Sequence, residues 1–217
     1  MNYQLIIFDW DGTLADSTGR IVDSIQRASR LVGLPAISDA DAQDIIGLGL
    51  PEALKTLWPD IEDHNLEAMR AAYARHFVYD SQVAMALFDG ARAMLEQLQS
   101  EGYLLAVATG KSRKGLDRIL DDLAIGHLFA VTRCADETRS KPDPLMVQEI
   151  LTELNVSAER ALMVGDTTYD LEMAQAAGVA TIGMSHGAHD DARLLACEPL
   201  ELCHSIVDLE QWLTNNG

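Results

Sequence analysis

The sequence predicts an α/β fold, a Rossmann-like open parallel sheet interrupted by one all-helical stretch, and three observations predict it. Short, almost continuously apolar runs recur at residues 4–8, 103–108, 161–164 and 179–182. Parallel strands covered on both faces read this way. Helical patterns separate the later runs, and strand alternating with helix implies an open α/β sheet. From about Ser17 to Leu87, by contrast, helical patterns continue with almost no strand signal.

Residues 4–8 form the expected first strand. The helical stretch follows, with candidate helices at 19–32, 38–46, 51–57 and 62–79 separated by the breakers "VGLP", "GLGLP" and "WPD". A run of about 70 residues is too long for a loop inside a compact domain. It reads as an inserted cap domain, residues 17–87, with hinges near 16–17 and 87–89. The α/β core is then residues 1–16 and 88–217. Helix 90–100 stops at Gly102, and strand 103–108 leads to helix 112–123, which opens on the N-cap residue Ser112. A weaker strand at 129–132 precedes helix 143–154, with Pro144 in its first turn. After strand 161–164, helix 169–177 ends at Gly178, a natural C-terminal stop. Strand 179–182, a helix start at "HDDARL", a short strand from Cys203 and helix 207–213 complete the chain.

Composition narrows the function classes. Of the 217 residues 48% are hydrophobic and 23% charged, which suits a globular protein with a real core. The net charge of −18, with only 16 Lys and Arg, argues against a nucleic-acid partner or an anionic membrane surface. A solvated acidic surface accounts for most of this charge, leaving a smaller part for a cation site. Cys134, Cys197 and Cys203 have no metal-ligand spacing, and an odd count suits a reducing compartment. The chain lacks a basic, then apolar, leader pattern and any apolar run of roughly 18 residues. The expectation is a cytoplasmic protein with no membrane contact, its oligomeric state open.

Ligands of open α/β sheets bind beyond the carboxyl ends of the strands. There the sequence places Asp9 and Asp11, then Thr109-Gly110-Lys111, then Asp166 with Asp170 following, and Lys141 in "SKPDP". Four carboxylates brought together need compensation. Oxygen donors select a hard cation, and Mg²⁺ typically takes one or two carboxylates, waters and phosphate oxygens. Lys141 adds positive charge, while Thr109 and the amides of the Asp11-Gly12-Thr13 turn can donate hydrogen bonds to an anion. A cation, an anion cradle and a free carboxylate nucleophile constitute a phosphoryl-transfer site.

"DWDGT", "VATGK", "SKPD" and "GDTTYD" together resemble, in order and spacing, the four motifs of the haloacid dehalogenase-like phosphohydrolases. The resemblance covers the whole chain, because family members with a helical cap after the first motif share this layout. It is nearest to the phosphoglycolate phosphatase-like hydrolases of small phosphomonoesters. The resemblance implies that Asp9 is a nucleophile forming an aspartyl-phosphate, and that Asp11 is the acid for the leaving alcohol and then the base for water. It implies that Thr109 and Lys141 hold the phosphoryl group, with Gly12, Thr13 and Gly110 around it, and that Lys141 pairs with Asp9. It assigns Mg²⁺ to the Asp9 carboxylate, the Asp11 backbone carbonyl and Asp166, with Asp170 behind them. The expected substrate is a small phosphorylated metabolite.

Asp11 favours phosphate chemistry, since the family's dehalogenases lack an aspartate there. A pyrophosphatase or a sugar phosphomutase of the same superfamily is the nearest alternative. The position where those mutases carry a cap histidine is Ile21 here, and Lys55 stands outside the context of the family's Schiff-base lysine. A non-catalytic binding protein on this fold is the reading from a different class. Within "IIGLGLPEAL", Gly47 and Gly49 could admit a ligand or simply make a turn. Leu48 and Leu50 beside them speak against a substrate with a second anionic group. Trp10 reads as core, Arg113 as a solvated residue, Lys111 as a residue near the entrance, and His186 and His189 in "SHGAHDD" as part of a solvated loop.

Overall fold

The structure, a computed structural model, describes residues 2–217. The chain runs β1 (Leu5–Phe8), β2 (Ala15–Asp16), α1 (Thr18–Val32), α2 (Asp39–Asp44), α3 (Leu50–Leu57), α4 (Asp63–Arg75), β3 (Ala86–Leu87), α5 (Ala91–Ser100) and β4 (Leu104–Thr109). It continues through α6 (Arg113–Leu123), β5 (Val131–Cys134), α7 (Leu145–Leu154), β6 (Ala161–Gly165), α8 (Thr168–Ala176), β7 (Ala180–Met184), α9 (Asp191–Ala196), β8 (Glu201–Cys203) and α10 (Ile206–Asn216).

Six strands form one parallel sheet in the order β5-β4-β1-β6-β7-β8. The apolar runs become strands because helices cover both faces. Ile6, Phe8, Leu105, Val107 and Val164 pack toward Leu95, Leu116 and Leu209 of α5, α6 and α10. The alternate residues Leu5, Ile7, Ala106 and Met163 pack toward Met146 and Ile150 of α7 and Met173 of α8. This two-residue alternation is the pleat of the strand. β1 lies between β4 and β6, where the strand order reverses, so a crevice opens beyond its carboxyl end.

Helices α1–α4 gather around an apolar cluster of their own that includes Ile25, Ala28, Ile46, Leu54, Trp58 and Met69. Ser38 opens α2 with a capping box, its hydroxyl accepting from the Asp41 N–H. α4 passes into a single wide turn of π-helix, His76–Asp80, where the sequence pattern reads as one uninterrupted helix. The two connections between this helical segment and the sheet pair with each other as a small antiparallel ladder, Ala15 with Leu87 and Asp16 with Ala86. Strands of two residues are too short to carry a periodic signal, so this ladder is absent from the sequence reading.

Other departures are local. β5 begins at Val131 rather than 129, because a 3₁₀ turn at Gly126–Leu128 uses Phe129 and pairing starts at Ala106 with Val131. α7 starts after Pro144, the Leu145 N–H donating to the Asp143 carboxylate at 3.0 Å. β8 ends, rather than begins, at Cys203. No helix among the described residues is long and apolar enough to cross a membrane, and the three cysteines are free.

Candidate active site

Asp9 directly follows β1, and its N–H still donates to the Val164 carbonyl at 3.0 Å. The ladder therefore extends one residue past the strand and holds the Asp9 carboxylate at the centre of the crevice. The chain then turns tightly, Leu14 and Ala15 N–H both donating to the Trp10 carbonyl. Gly12 takes φ +87°, and a Cβ there would overlap the Asp166 carboxylate. Only glycine lets the turn pass so close to that acid. Thr13 donates to Asp166 Oδ1 at 2.7 Å, and the Ala188 N–H donates to its Oδ2, also at 2.7 Å.

Asp170 caps its own helix while serving the site. Its Oδ2 accepts from the Thr167 N–H at 3.1 Å and hydroxyl at 2.8 Å, a capping box at the start of α8. Its Oδ1 accepts from Lys141 Nζ at 2.6 Å, and the same ammonium donates to Asp9 Oδ1 at 2.5 Å. Carboxylate oxygens of Asp9, Asp166 and Asp170 all lie within 4.8 Å of one another, and all three residues are buried.

The electrostatics follow from that burial. Desolvation raises the Asp9 pKa well above the carboxylate range; Lys141 opposes this, while Asp170, Asp166 and Asp11 add to it. Burial and the Asp170 charge push Asp166 up to about 7, against the pull of its bonds from Thr13 and Ala188. Burial disfavours the Lys141 charge, but Asp170 and Asp9 outweigh it and hold the ammonium above its ordinary range. With all three carboxylates ionised, the single Lys141 ammonium would leave two negative charges uncompensated in a buried pocket, which is why burial pushes Asp9 and Asp166 toward their protonated forms when no cation is bound. Asp9 Oδ2 also has no hydrogen-bond partner. Buried polar atoms are rarely left so. A divalent cation with a preference for oxygen answers both observations, and Asp9, Asp166 and Asp170 are the side chains that could hold it.

Asp11 points elsewhere. Lys111 Nζ donates to both of its oxygens, at 2.8 and 2.9 Å, and the Ser17 hydroxyl donates to Oδ1 at 2.6 Å. Lys111 in turn lies 4.9 Å from the centre of the Phe77 ring, at the π-helical turn. Asp11 thus stands beside the three-carboxylate group without joining it. Ser17 carries no signal beyond the hinge position in the sequence. Lys111 has one, a lysine directly after a strand end among four acids, but its partner could not be named.

Thr109 ends β4, buried, and its hydroxyl accepts from the Lys111 N–H at 3.2 Å. At Gly110 a Cβ would overlap the carbonyl oxygens of Gly47 and Leu48. The loop between α2 and α3 therefore rests directly on the end of β4. The Gly49 N–H also donates to the Ser140 hydroxyl at 2.8 Å, next to Lys141. Beneath this loop a cavity of about 180 Å³ adjoins Asp9 and Asp11. Tyr73 of α4 borders it; burial, with the Asp11 charge adding to it, holds its phenol above the ordinary range.

The 185–190 loop is a correction, since "SHGAHDD" is not a solvated loop throughout. His189 is 2% exposed: its Nδ1 accepts from the Thr168 N–H at 3.0 Å and its Nε2 lies 3.2 Å from the Asp44 carbonyl. His186 stacks on Phe88 at 4.0 Å, and its Nε2 lies 3.2 Å from the Thr13 carbonyl. Because the Ala188 N–H must reach Asp166, the loop is drawn inward and carries both imidazoles with it. Arg113 is also more than a solvated residue. It bridges Glu137, Asp117 and Thr132, away from the cavity. Trp10 is wholly buried, with its ring against Phe129.

The sequence profile of the haloacid dehalogenase-like hydrolases matches residues 6–184. The chain is 30% identical over 204 residues to the phosphoglycolate phosphatase of Vibrio cholerae, spanning 90% of each chain. It is 35% identical over 199 residues to a Dickeya dadantii protein named "Probable phosphatase IndB", spanning 90% of this chain and 86% of that one. The crystal structure of a predicted phosphoglycolate phosphatase from Haemophilus somnus superposes with a TM-score of 0.84 at 25% identity, over 98% of this chain and 99% of the other. The chain belongs to the haloacid dehalogenase-like hydrolase family, as an enzyme with phosphatases among its relatives.

Proposed function

We propose that the protein is a Mg²⁺-dependent phosphatase that hydrolyses a small phosphomonoester through an aspartyl-phosphate on Asp9. The carrying observation is the arrangement around Asp9. One of its oxygens is neutralised by Lys141, the other has no partner, and Asp11 stands two residues on, held by Lys111 and Ser17.

In the first step an Asp9 carboxylate oxygen attacks phosphorus, and the bond from phosphorus to the ester oxygen breaks as the new one forms. Asp11, in its protonated form, gives its proton to the departing oxygen, which leaves as the alcohol. In the second step Asp11, now ionised, takes a proton from water as that water attacks phosphorus. The bond from Asp9 to phosphorus breaks, releasing inorganic phosphate and restoring both aspartates. Thr109, Lys141 and the amides of the Asp11-Gly12-Thr13 turn orient the phosphoryl oxygens. Mg²⁺ bound by Asp9, Asp166 and the Asp11 carbonyl would neutralise phosphate charge, with Asp170 positioning Lys141. Residues 17–87 act as a cap whose 45–49 loop excludes water when seated on Gly110. Free cysteines support a cytoplasmic setting.

Asp9→Asn tests the reading. Mg²⁺-dependent hydrolysis of p-nitrophenyl phosphate should fall at least about 1,000-fold with the circular dichroism spectrum unchanged. Retained turnover in the variant would remove Asp9 as nucleophile. Inactivity of the wild-type protein toward a broad set of phosphomonoesters would favour the binding-protein alternative.

A further inference from the structure

The cavity beside Asp9 and Asp11 has two unlike walls. The α/β side presents the two aspartates, Gly110 and Lys111. The facing wall comes from the helical segment and is apolar, with Ile21 and Ile25 of α1, Ile45 and Ile46 before α3, and Tyr73 and Phe77. Among the described residues, Tyr73 is the only one of that wall with a polar group on its side chain.

No free cation faces this space among the described residues. Lys111 is the single basic residue lining it, and its ammonium already holds both oxygens of Asp11. Arg20 on α1 donates to the backbone carbonyls of Val83, Phe77 and Ser81 and does not line the cavity. Lys55, on α3, is exposed and outside it. A carboxylate or second phosphate placed against Ile21, Ile25 and Ile46 would lose its hydration without gaining a partner. An alkyl or aryl group would instead remove those side chains from water. Volume adds a limit. About 180 Å³ is less than the roughly 300–1,000 Å³ of sites for drug-sized ligands.

We propose that the substrate is the phosphate monoester of a small, uncharged, predominantly apolar alcohol. Its hydrocarbon lies against Ile21, Ile25 and Tyr73, and its ester oxygen faces Asp11. This rests on the phosphatase reading and narrows it: the wall that meets the leaving group selects against a second anionic group, such as the carboxylate of phosphoglycolate.

The test compares kcat/KM of the full-length protein with Mg²⁺ for ethyl phosphate, isobutyl phosphate, phenyl phosphate and phosphoglycolate, with acetyl phosphate as a common reference. Isobutyl phosphate should exceed ethyl phosphate by roughly 15-fold, from two added carbons at about fourfold each. Phosphoglycolate should fall at least about 100-fold below isobutyl phosphate. Ile21→Lys should lower the isobutyl-to-phosphoglycolate ratio by about tenfold or more. Ile25→Thr should lower the isobutyl-to-ethyl ratio with less risk to folding. Both readouts are ratios, so a smaller folded fraction does not move them. If phosphoglycolate matches or exceeds isobutyl phosphate while hydrolysis still requires Asp9, the substrate class is overturned and the phosphatase reading stands. If no compound, acetyl phosphate included, is hydrolysed, the phosphatase reading falls and this proposal with it.

Discussion

Lys111 Nζ holds both carboxylate oxygens of Asp11, at 2.8 and 2.9 Å, with 8% of the lysine side chain and 10% of the aspartate's exposed. Together with the Ser17 hydroxyl, the pair fixes where Asp11 points. The ammonium also offsets an Asp11 charge that otherwise adds to the repulsion on Asp9.

Removing the lysine should therefore disorder Asp11 more than it harms the fold. Lys111→Met is expected to lower kcat by about 10- to 100-fold, with Lys111→Arg recovering part of the loss. Denaturant unfolding should show about 1–3 kcal/mol of destabilisation, since Asp11 is left with only the Ser17 hydroxyl. An unchanged kcat in the methionine variant would show that Asp11 acts without this partner.

Lys141 is the more critical lysine for stability. Its ammonium is fully buried between Asp9 and Asp170, and its removal leaves those carboxylates facing each other without a counter-charge. Lys141→Met should cost about 3–5 kcal/mol in urea unfolding of the metal-free protein. Added Mg²⁺ should restore part of that stability while activity stays lost. Equal midpoints for variant and wild type would contradict the charge balance described above.

Metal binding should be visible without any substrate. A cation bound only by the folded state stabilises it by mass action, about 2.7 kcal/mol at 100 times the dissociation constant. Mg²⁺ is therefore expected to raise the thermal midpoint of the wild-type protein, and Asp166→Asn should abolish the shift. EDTA should silence turnover and Mg²⁺ restore it. Activity that survives thorough chelation would eliminate the metal.

His189 gives the fold an acid limit. The Thr168 N–H donates to its Nδ1, so that nitrogen carries no proton and the Nε2–H faces the Asp44 carbonyl. Burial holds the proton affinities of His189 and His186 below the usual histidine range. An unfolded imidazole takes up a proton near pH 6.5, so between that value and the lower folded one the unfolded chain binds more protons. Stability should be fully present above about pH 6.5 and decline as pH falls through the folded values. His189→Gln should flatten that decline in urea midpoints measured from pH 5 to 8. A slope identical to wild type would move the acid sensitivity elsewhere.

The strands were readable because burial on both faces leaves a nearly continuous apolar run, as at Leu5–Phe8 and Ala161–Gly165. Helix starts were readable where a side chain does local work, as Ser112 does for the Gly115 N–H. The β2–β3 ladder and the inward 185–190 loop were not, because each depends on residues far away in the chain. Asp16 meets Ala86, and the Ala188 N–H meets Asp166. Asp170 has two roles at once. Its capping of α8 is local and visible in "TTYD", while its bond to Lys141 exists only in the assembled site.

The sequence by itself determined the sheet, the helical stretch and the carboxylates that follow the strands, because those features follow from periodicity and from residue type at strand ends. Tertiary structure alone decided the partners: Lys141 with Asp9 and Asp170, Lys111 and Ser17 with Asp11, and an isoleucine-lined wall opposite them. Charge pairing and cavity shape depend on distances between residues far apart in the chain, 132 positions for Lys141 and Asp9. Local pattern carries no record of such distances.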